Sequence, residues 1–294
     1  MARRLELRAW DELPGTAARG RNWAIVEGDC LEALEGLPPH SVDVAFADPP
    51  YHLSNGGTTC RSGRRASVDK GGWDASQGFS LDHAFQARWL TAVRRTLKPG
   101  ATIWVSGTQH VIFSIGYAMQ ELGFHLLNTV TWYKPNASPN LACRFFTHST
   151  ELILWASPQR SRPLAHRFNY AEMKARNGGK QMRDLWEICE RPAPGGEQVV
   201  WGVPTPGPRE KVHGRHPTQK PLALLERVLA ASANSGDLVL DPFSGSGTTG
   251  LAALQAGCRF LGVEREAEYV RLAANRLREE ELRLKAGELP YSPS

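Results

Sequence analysis

Between residues 237 and 264 the chain runs as an apolar strand, a glycine-rich turn, a helix, a second strand and an acid. The first strand is Asp237-Leu238-Val239-Leu240. The turn is Asp241-Pro242-Phe243-Ser244-Gly245-Ser246-Gly247-Thr248-Thr249-Gly250, the helix runs to Ala256, and residues 259–263 lead into Glu264. This is a nucleotide-binding βαβ unit, and it commits the chain to parallel strands covered by helices. Its glycines let the backbone approach a ligand closely. Glu264, 23 residues after Asp241, stands where an acid can take both ribose hydroxyls. The turn is neither G-x-G-x-x-G nor a P-loop, since no G-K-[ST] follows. Asp241 would repel a pyrophosphate; it suits a cationic or zwitterionic ligand. S-adenosylmethionine, with its sulfonium, amino group and ribose, answers to that. Taken alone, the turn would also serve close helix–strand packing.

Asp48-Pro49-Pro50-Tyr51 is the second fixed point. It follows an apolar run, 42–47, that reads as a buried parallel strand. The carboxyl edge of such a strand is where ligands bind in open α/β sheets. Pro49 and Pro50 lack N–H donors and hold φ, so the chain there is stiff and its carbonyls can accept hydrogen bonds. Asp48 adds a carboxylate acceptor, and Tyr51 a flat face for stacking. Acceptors beside a stacking platform suit a flat heterocycle with an exocyclic NH₂, such as adenine or cytosine. A turn packed on the sheet is the plainer reading of these four residues.

The rest of the pattern alternates as a doubly wound sheet does. Strands are expected at 23–27, 101–105, 126–132 and 151–156, and helices near 31–37, 81–97, 111–122, 222–232 and 266–284. Residues 1–21 show no period and are expected to be irregular. Residues 52–80, with Arg61, Arg64, Arg65 and Lys70, are expected to form a long, polar, mobile loop. Trp73 is expected to anchor its end onto the core. Residues 157–215 have too few apolar positions for a core of their own and read as an insertion, with weak helical signals over 173–186.

Charge is unevenly spread. Residues 134–220 hold 14 Lys/Arg against 7 Asp/Glu, a local +7 in a chain of net +5. A basic stretch in an otherwise near-neutral chain suggests a polyanion-facing surface. The five cysteines (30, 60, 143, 189, 258) include no CxxC pair, so no metal site and no disulfide framework is expected, and a reducing cytoplasm fits. No apolar run is long enough to span a membrane, and no apolar stretch follows the basic N-terminus as in a signal peptide.

Together, Asp48-Pro49-Pro50-Tyr51 and the 241–250 turn resemble the amino-methyltransferases of DNA. Acceptor motif first, cofactor motif last and a basic segment between is the order of their β class. His216-Pro217-Thr218-Gln219-Lys220-Pro221 resembles a further cofactor motif of that class. Several stretches are similar to the Dpn/Mbo-type second adenine methyltransferases acting at GATC. They are 47–51 continuing to Leu53-Ser54-Asn55-Gly56-Gly57, Val68-Asp69-Lys70-Gly71, Phe146-Thr147-His148-Ser149-Thr150-Glu151 and Gly179-Lys180-Gln181-Met182.

The resemblance implies an α/β, Rossmann-like S-adenosylmethionine-dependent methyltransferase fold. Its expected divisions are an irregular segment 1–21, an acceptor half 22–156, an inserted target-recognition segment 157–215, a cofactor half 216–284 and a polar tail 285–294. It implies N6-adenine methylation of double- or single-stranded DNA in the cytoplasm, with homodimers frequent in the class. By the same resemblance Asp48 and the Pro49 carbonyl bind the target amine, with Pro50 beside them and Tyr51 stacked on the base. Asp241, Pro242, Phe243, Ser244, Gly245, Gly247 and Thr248 line the cofactor, and Glu264 with Arg265 meets its ribose end. Asp29 and Cys30 approach its adenine, while Thr218 and Lys220 close the other side near Asp48. An N4-cytosine methyltransferase needs the same geometry and is the nearest alternative. A non-catalytic protein binding S-adenosylmethionine or DNA is the alternative of another kind.

Overall fold

The computed structural model describes residues 13–289 apart from 55–57, 62–63, 68–70, 136, 138, 142, 161–164, 188–205, 207 and 212. Its strands are β1 (Thr16–Arg19), β2 (Trp23–Glu27), β3 (Val42–Ala47), β4 (Thr58–Arg61), β5 (Arg64–Ser67), β6 (Leu97–Gly107), β7 (His125–Tyr133), β8 (Thr150–Ser157), β9 (Leu185–Glu187), β10 (Leu238–Asp241) and β11 (Arg259–Glu264). The helices are α1 (Cys30–Glu35), α2 (Phe79–Thr96), α3 (Ile112–Glu121), α4 (Tyr170–Arg176), α5 (Leu222–Ser232), α6 (Thr248–Gln255) and α7 (Ala267–Ala286).

One sheet of nine strands runs β1-β2-β11-β10-β3-β6-β8-β7-β9, and β4 and β5 pair apart from it as a hairpin. The central strands β2, β11, β10, β3 and β6 are parallel, whereas β8 lies antiparallel to both β6 and β7. Alternation along β3 explains why its sequence is apolar throughout. Val44 and Phe46 enter a core shared with α5, α6 and α7, while Ala45 and Ala47 enter the opposite core with α1, α2 and α3. Trp104 of β6 stacks on Trp155 of β8 at 4.7 Å and 12°. Such a pair contributes roughly 0.5–1.5 kcal/mol beyond its buried area.

From β10 the chain winds through α6 to β11 on one side. From β3 it winds through α2 to β6 on the other. The loops after β10 and β3 therefore part at a topological switch point, where a cleft opens at the carboxyl edge.

Four expectations are revised. Part of the N-terminal stretch is a strand, β1, hydrogen-bonded along β2; residues 1–12 lie outside the described residues. The 52–80 stretch is not a loop without structure of its own: it contains the β4–β5 hairpin and a 3₁₀ turn at Gly72–Asp74. Its side chains Arg61, Arg64, Arg65 and Lys70 lie outside the described residues. Helix α2 stops at Thr96, because Leu97 is already extended and opens β6. In the insertion the helix is 170–176, earlier than expected. The stretch after it turns into edge strand β9, with Met173 and Trp186 joining the main core.

Candidate active site

Four neighbouring parallel strands end in acids. Asp29 follows β2, Glu264 closes β11, Asp241 closes β10 and Asp48 follows β3. Pairing of Glu264 with Glu27 and of Leu240 with Ala45 keeps these ends level. They surround a cavity of about 650 Å³, within the range that holds small ligands.

On the cofactor side the acids are held by their own loops. Asp241 accepts from Phe243 N at 3.0 Å and from Thr249 Oγ1 at 2.6 Å. Glu264 accepts from Gly245 N and Glu266 N, both at 2.8 Å. Asp29 caps α1 by accepting from Leu31 N at 2.8 Å. Burial, aided by the charges of Asp48 and Glu264, pushes the Asp241 carboxyl up to about 7 despite its two hydrogen bonds. Burial likewise raises Glu264, and lifts the Cys30 thiol to about 12, so Cys30 is an inert neutral wall group.

Pro242, Ser244, Thr248, Arg265 and Thr218 line the cavity. So does Phe243, seated edge-on against Trp89 at 5.3 Å. Gly245 lines it at φ 51°, where a Cβ would stand 3.1 Å from the His216 ring. Gly247 does not. It sits at φ 74° ahead of α6, and a Cβ there would stand 2.9 Å from Ala273 Cβ. Its glycine is required by the packing of α6 on α7.

On the acceptor side the contacts are long-range. Asp48 Oδ1 accepts from Tyr51 OH at 2.6 Å and from Ser106 Oγ at 2.5 Å. Its Oδ2 accepts from Lys220 Nζ at 2.6 Å. The register of β3 on β6, Ala47 opposite Val105, brings Ser106 level with Asp48. Lys220 also stands 3.6 Å from Glu151 Oε2, and Glu151 Oε1 accepts from Lys134 Nζ at 2.9 Å. Burial disfavours the Lys220 ammonium, yet the carboxylates of Asp48 and Glu151 outweigh it and raise its pKa.

One expectation changes here. Tyr51 is not an open stacking platform in this structure. The residue is 5% exposed, its hydroxyl is tied to Asp48, and Lys220 Nζ stands 5.2 Å from the ring centroid. Pro50 lines the cavity, and the side chain of Pro49, next to Asp48, is buried.

Asp74 is the residue that sequence reasoning missed most plainly. Although 1% exposed, it accepts from Tyr51 N, His52 N, Leu53 N and Ser54 Oγ at 2.8–3.0 Å. One carboxylate thus ties down the whole stretch after Pro50. Neighbouring Trp73 does not anchor in the core. It lines the cavity and stacks on His216 at 6.2 Å and 21°, and His216 meets Tyr269 edge-on at 4.3 Å. Ser106 and Glu151 carried a usable signal, since each is a polar residue at the end of an apolar run. Asp74 carried none, as it lies in a polar stretch.

Between β7 and β8, residues 134–149 contain Lys134 and Arg144 and no acid. Phe146 is 95% exposed there, next to Phe145 at 58%. Basic and aromatic side chains together suit a nucleic-acid surface.

A sequence profile of the DNA methylase family matches residues 42–275. The Type II methyltransferase M2.LlaDCHI of Lactococcus lactis subsp. cremoris is 46% identical over 258 residues, 87% of this chain and 89% of its own. The Type II methyltransferase M2.DpnII of Streptococcus pneumoniae is 46% identical over 256 residues, 87% and 90% of the two chains. Among solved structures, an M1.HpyAVI–SAM complex aligns with a TM-score of 0.57 at 26% identity, over 87% of this chain and 98% of that one. The cytosine-N4-specific PvuII DNA methyltransferase aligns at 0.65 with 20% identity, over 93% and 96%, a likeness of fold.

Proposed function

The chain belongs to the DNA methylase family of N6 and N4 enzymes, and from that membership we propose that it methylates the exocyclic N6 of adenine in DNA, within GATC, with Asp48 receiving the amine. S-adenosylmethionine is its cofactor. The cavity fits that ligand: Asp241, Asp48 and Glu264 crowd one buried space, and burial with mutual repulsion lifts Asp241 to about 7. A sulfonium and an ammonium relieve that repulsion. The observation that carries the functional reading is the placement of Asp48 beside the 241–250 turn, on adjacent strands, around one cavity.

Bound there, S-adenosylmethionine supplies an electrophilic methyl on sulfur. The adenine amine is weakly nucleophilic because its lone pair is conjugated into the ring. Asp48 and the Pro49 carbonyl accept its two N–H bonds, draw the nitrogen toward sp³ and aim the lone pair. Positioning then supplies much of the rate. The lone pair becomes the N–C bond, and the electrons of the C–S bond stay on sulfur. One N–H proton is then lost, with Asp48 nearest to it. Asp48 offsets the charge that grows on nitrogen. In a duplex the base must swing out first, at a cost of about a few kcal/mol; single-stranded DNA avoids that cost. The acid-free 134–149 loop and the basic insertion supply the polyanion surface.

The proposal includes a homodimer, which sedimentation of the purified protein tests, and a cytoplasmic site of action. No described helix is long and apolar enough to cross a membrane. The deciding experiment incubates the protein with methyl-labelled S-adenosylmethionine and oligonucleotides, single- and double-stranded, with GATC intact or scrambled, then identifies the labelled nucleoside. N6-methyladenine confined to GATC is expected. N4-methylcytosine, or DNA left without label, overturns the proposal.

A further inference from the structure

We propose that Glu151 is the reserve partner of Lys220, taking the ammonium over from Asp48 when the target amine arrives. This rests on Asp48 being the amine acceptor. Asp48 Oδ1 already receives Tyr51 OH and Ser106 Oγ, which occupy both of its lone pairs. The incoming N–H must therefore use the second lone pair of Oδ2, beside the Lys220 ammonium that already donates to that oxygen at 2.6 Å. An ammonium kept there neutralises the acceptor and stands beside a nitrogen that turns positive during transfer.

Lys220 cannot withdraw into water, because its side chain is 8% exposed. Its backbone is committed too, since Pro221 caps α5 directly after it. Among the described residues the other carboxylate within its reach is Glu151, whose Oε2 is 3.6 Å from Nζ. A shift of side-chain torsions moves the ammonium from one carboxylate to the other. Glu151 is set up to receive it: Lys134 holds Oε1 at 2.9 Å, and both side chains are under one-fifth exposed. The strand pairing of Trp132 with Glu151 and Tyr133 with Thr150 frames that ion pair rigidly. Two acids and two ammoniums keep the cluster neutral before and after the exchange. Asp48 thus rests paired, which a buried charge requires, and is released only against an incoming donor. Glu151 is a positioning residue that acts through Lys220.

The test uses the full chain with a GATC substrate, chosen single- or double-stranded as the wild type prefers. It measures the single-turnover rate of methyl transfer, S-adenosylmethionine affinity and the melting temperature. Glu151→Gln is expected to slow transfer at least about tenfold while cofactor affinity stays within about twofold, the pattern of an interaction acting after binding. Adding Lys220→Met is expected to restore at least about threefold, because no ammonium remains to be displaced; contacting residues show such non-additivity. Glu151→Asp draws the carboxylate back by one methylene and keeps the charge, so it serves if the Gln variant does not fold. It too should slow transfer, and recover with Lys220→Met. A wild-type rate in either Glu151 variant, or losses that simply add, overturns the exchange. Asp48→Asn separates this from the parent reading. If it transfers methyl at a near-normal rate, the acceptor assignment itself falls; if it is inactive while Glu151→Gln is normal, only the exchange falls.

Discussion

The two sides of the cleft use carboxylates in opposite ways. On the cofactor side, Asp241 and Glu264 spend both oxygens on nearby backbone and hydroxyl donors, no more than 19 residues away. On the acceptor side, Asp48 draws on Ser106 and Lys220, 58 and 172 residues away. Its loop is tied down by Asp74, up to 23 residues on. The cofactor side is thus a loop that shapes itself, and its acids act first as caps. The acceptor side is a junction that exists only once β6, β8 and the cofactor half have come together. Lesions should separate accordingly: acceptor-side changes cut the chemistry and spare cofactor binding, whereas cofactor-side changes move binding and stability together.

The largest effect is expected at Asp48. Asp48→Ala removes the acceptor and should cost about a hundredfold to a thousandfold or more in transfer rate, the range for a lost preorganised electrostatic partner. Affinity for S-adenosylmethionine, read by calorimetry, should change only a few-fold. A parallel collapse of cofactor binding would erase the distinction between the two sides. Asp74→Ala comes next. It leaves three backbone N–H groups and the Ser54 hydroxyl without their acceptor. Stability should fall by about 2–4 kcal/mol, since each buried group left unpaired costs about 1–3 kcal/mol and water reaches some of them. Transfer should drop about tenfold to a hundredfold as Pro49 and Tyr51 lose their fixed positions. Normal kinetics in that variant would mean that the loop is held by other contacts.

The same contrast explains what could be read from the sequence. The strand, glycine turn, helix, strand and Glu264 are local in sequence, so their arrangement was legible and so was the cavity beneath them. Asp48 was legible because an acid closes an apolar strand. Its partners were harder. Ser106 could be placed only by knowing that β6 lies beside β3. Glu151 depends on β8 running antiparallel, which brings the start of that strand to the same edge. An apolar run does not reveal its direction. Asp74 depends on a hairpin folding back inside a stretch without hydrophobic period. The burial of Tyr51 was not legible, because a ring beside Pro-Pro looks exposed until Asp48 and Ser106 claim its hydroxyl. The packing role of Gly247 was hidden because a glycine in such a turn can face a ligand, a helix or both, and only the fold brings Ala273 against it.

Gly247→Ala sharpens the cofactor side. The left-handed backbone costs an alanine roughly 1–2 kcal/mol, and its Cβ would stand 2.9 Å from Ala273 Cβ. A loss of about 2–3 kcal/mol should lower the melting temperature by about 2–4 °C per kcal/mol. S-adenosylmethionine affinity should weaken severalfold through displacement of α6. Unchanged stability with lost affinity would return Gly247 to the ligand wall.

The smallest effect is a pH slope, and it asks whether the cofactor-side acids do more than cap. Burial holds Asp241 at about 7, against about 3.9 for an unperturbed aspartate. Between those values the folded protein keeps a proton that the unfolded chain has lost. Stability from this group therefore falls as pH rises from about 4 to about 7, and is level above. A cationic ligand favours the carboxylate form, so cofactor binding should pull that proton off. Affinity for S-adenosylmethionine should then rise severalfold from about pH 6 to about pH 8, with proton release visible as a buffer-dependent heat of binding. Asp241→Asn removes this group's share, and whatever slope remains belongs to other groups, the ligand's own amine included. Identical slopes in the two proteins would make Asp241 a loop cap alone, and the two sides would differ in chemistry as completely as they do in construction. A difference between the slopes would show the self-shaped loop already charged, in part, for the ligand it encloses.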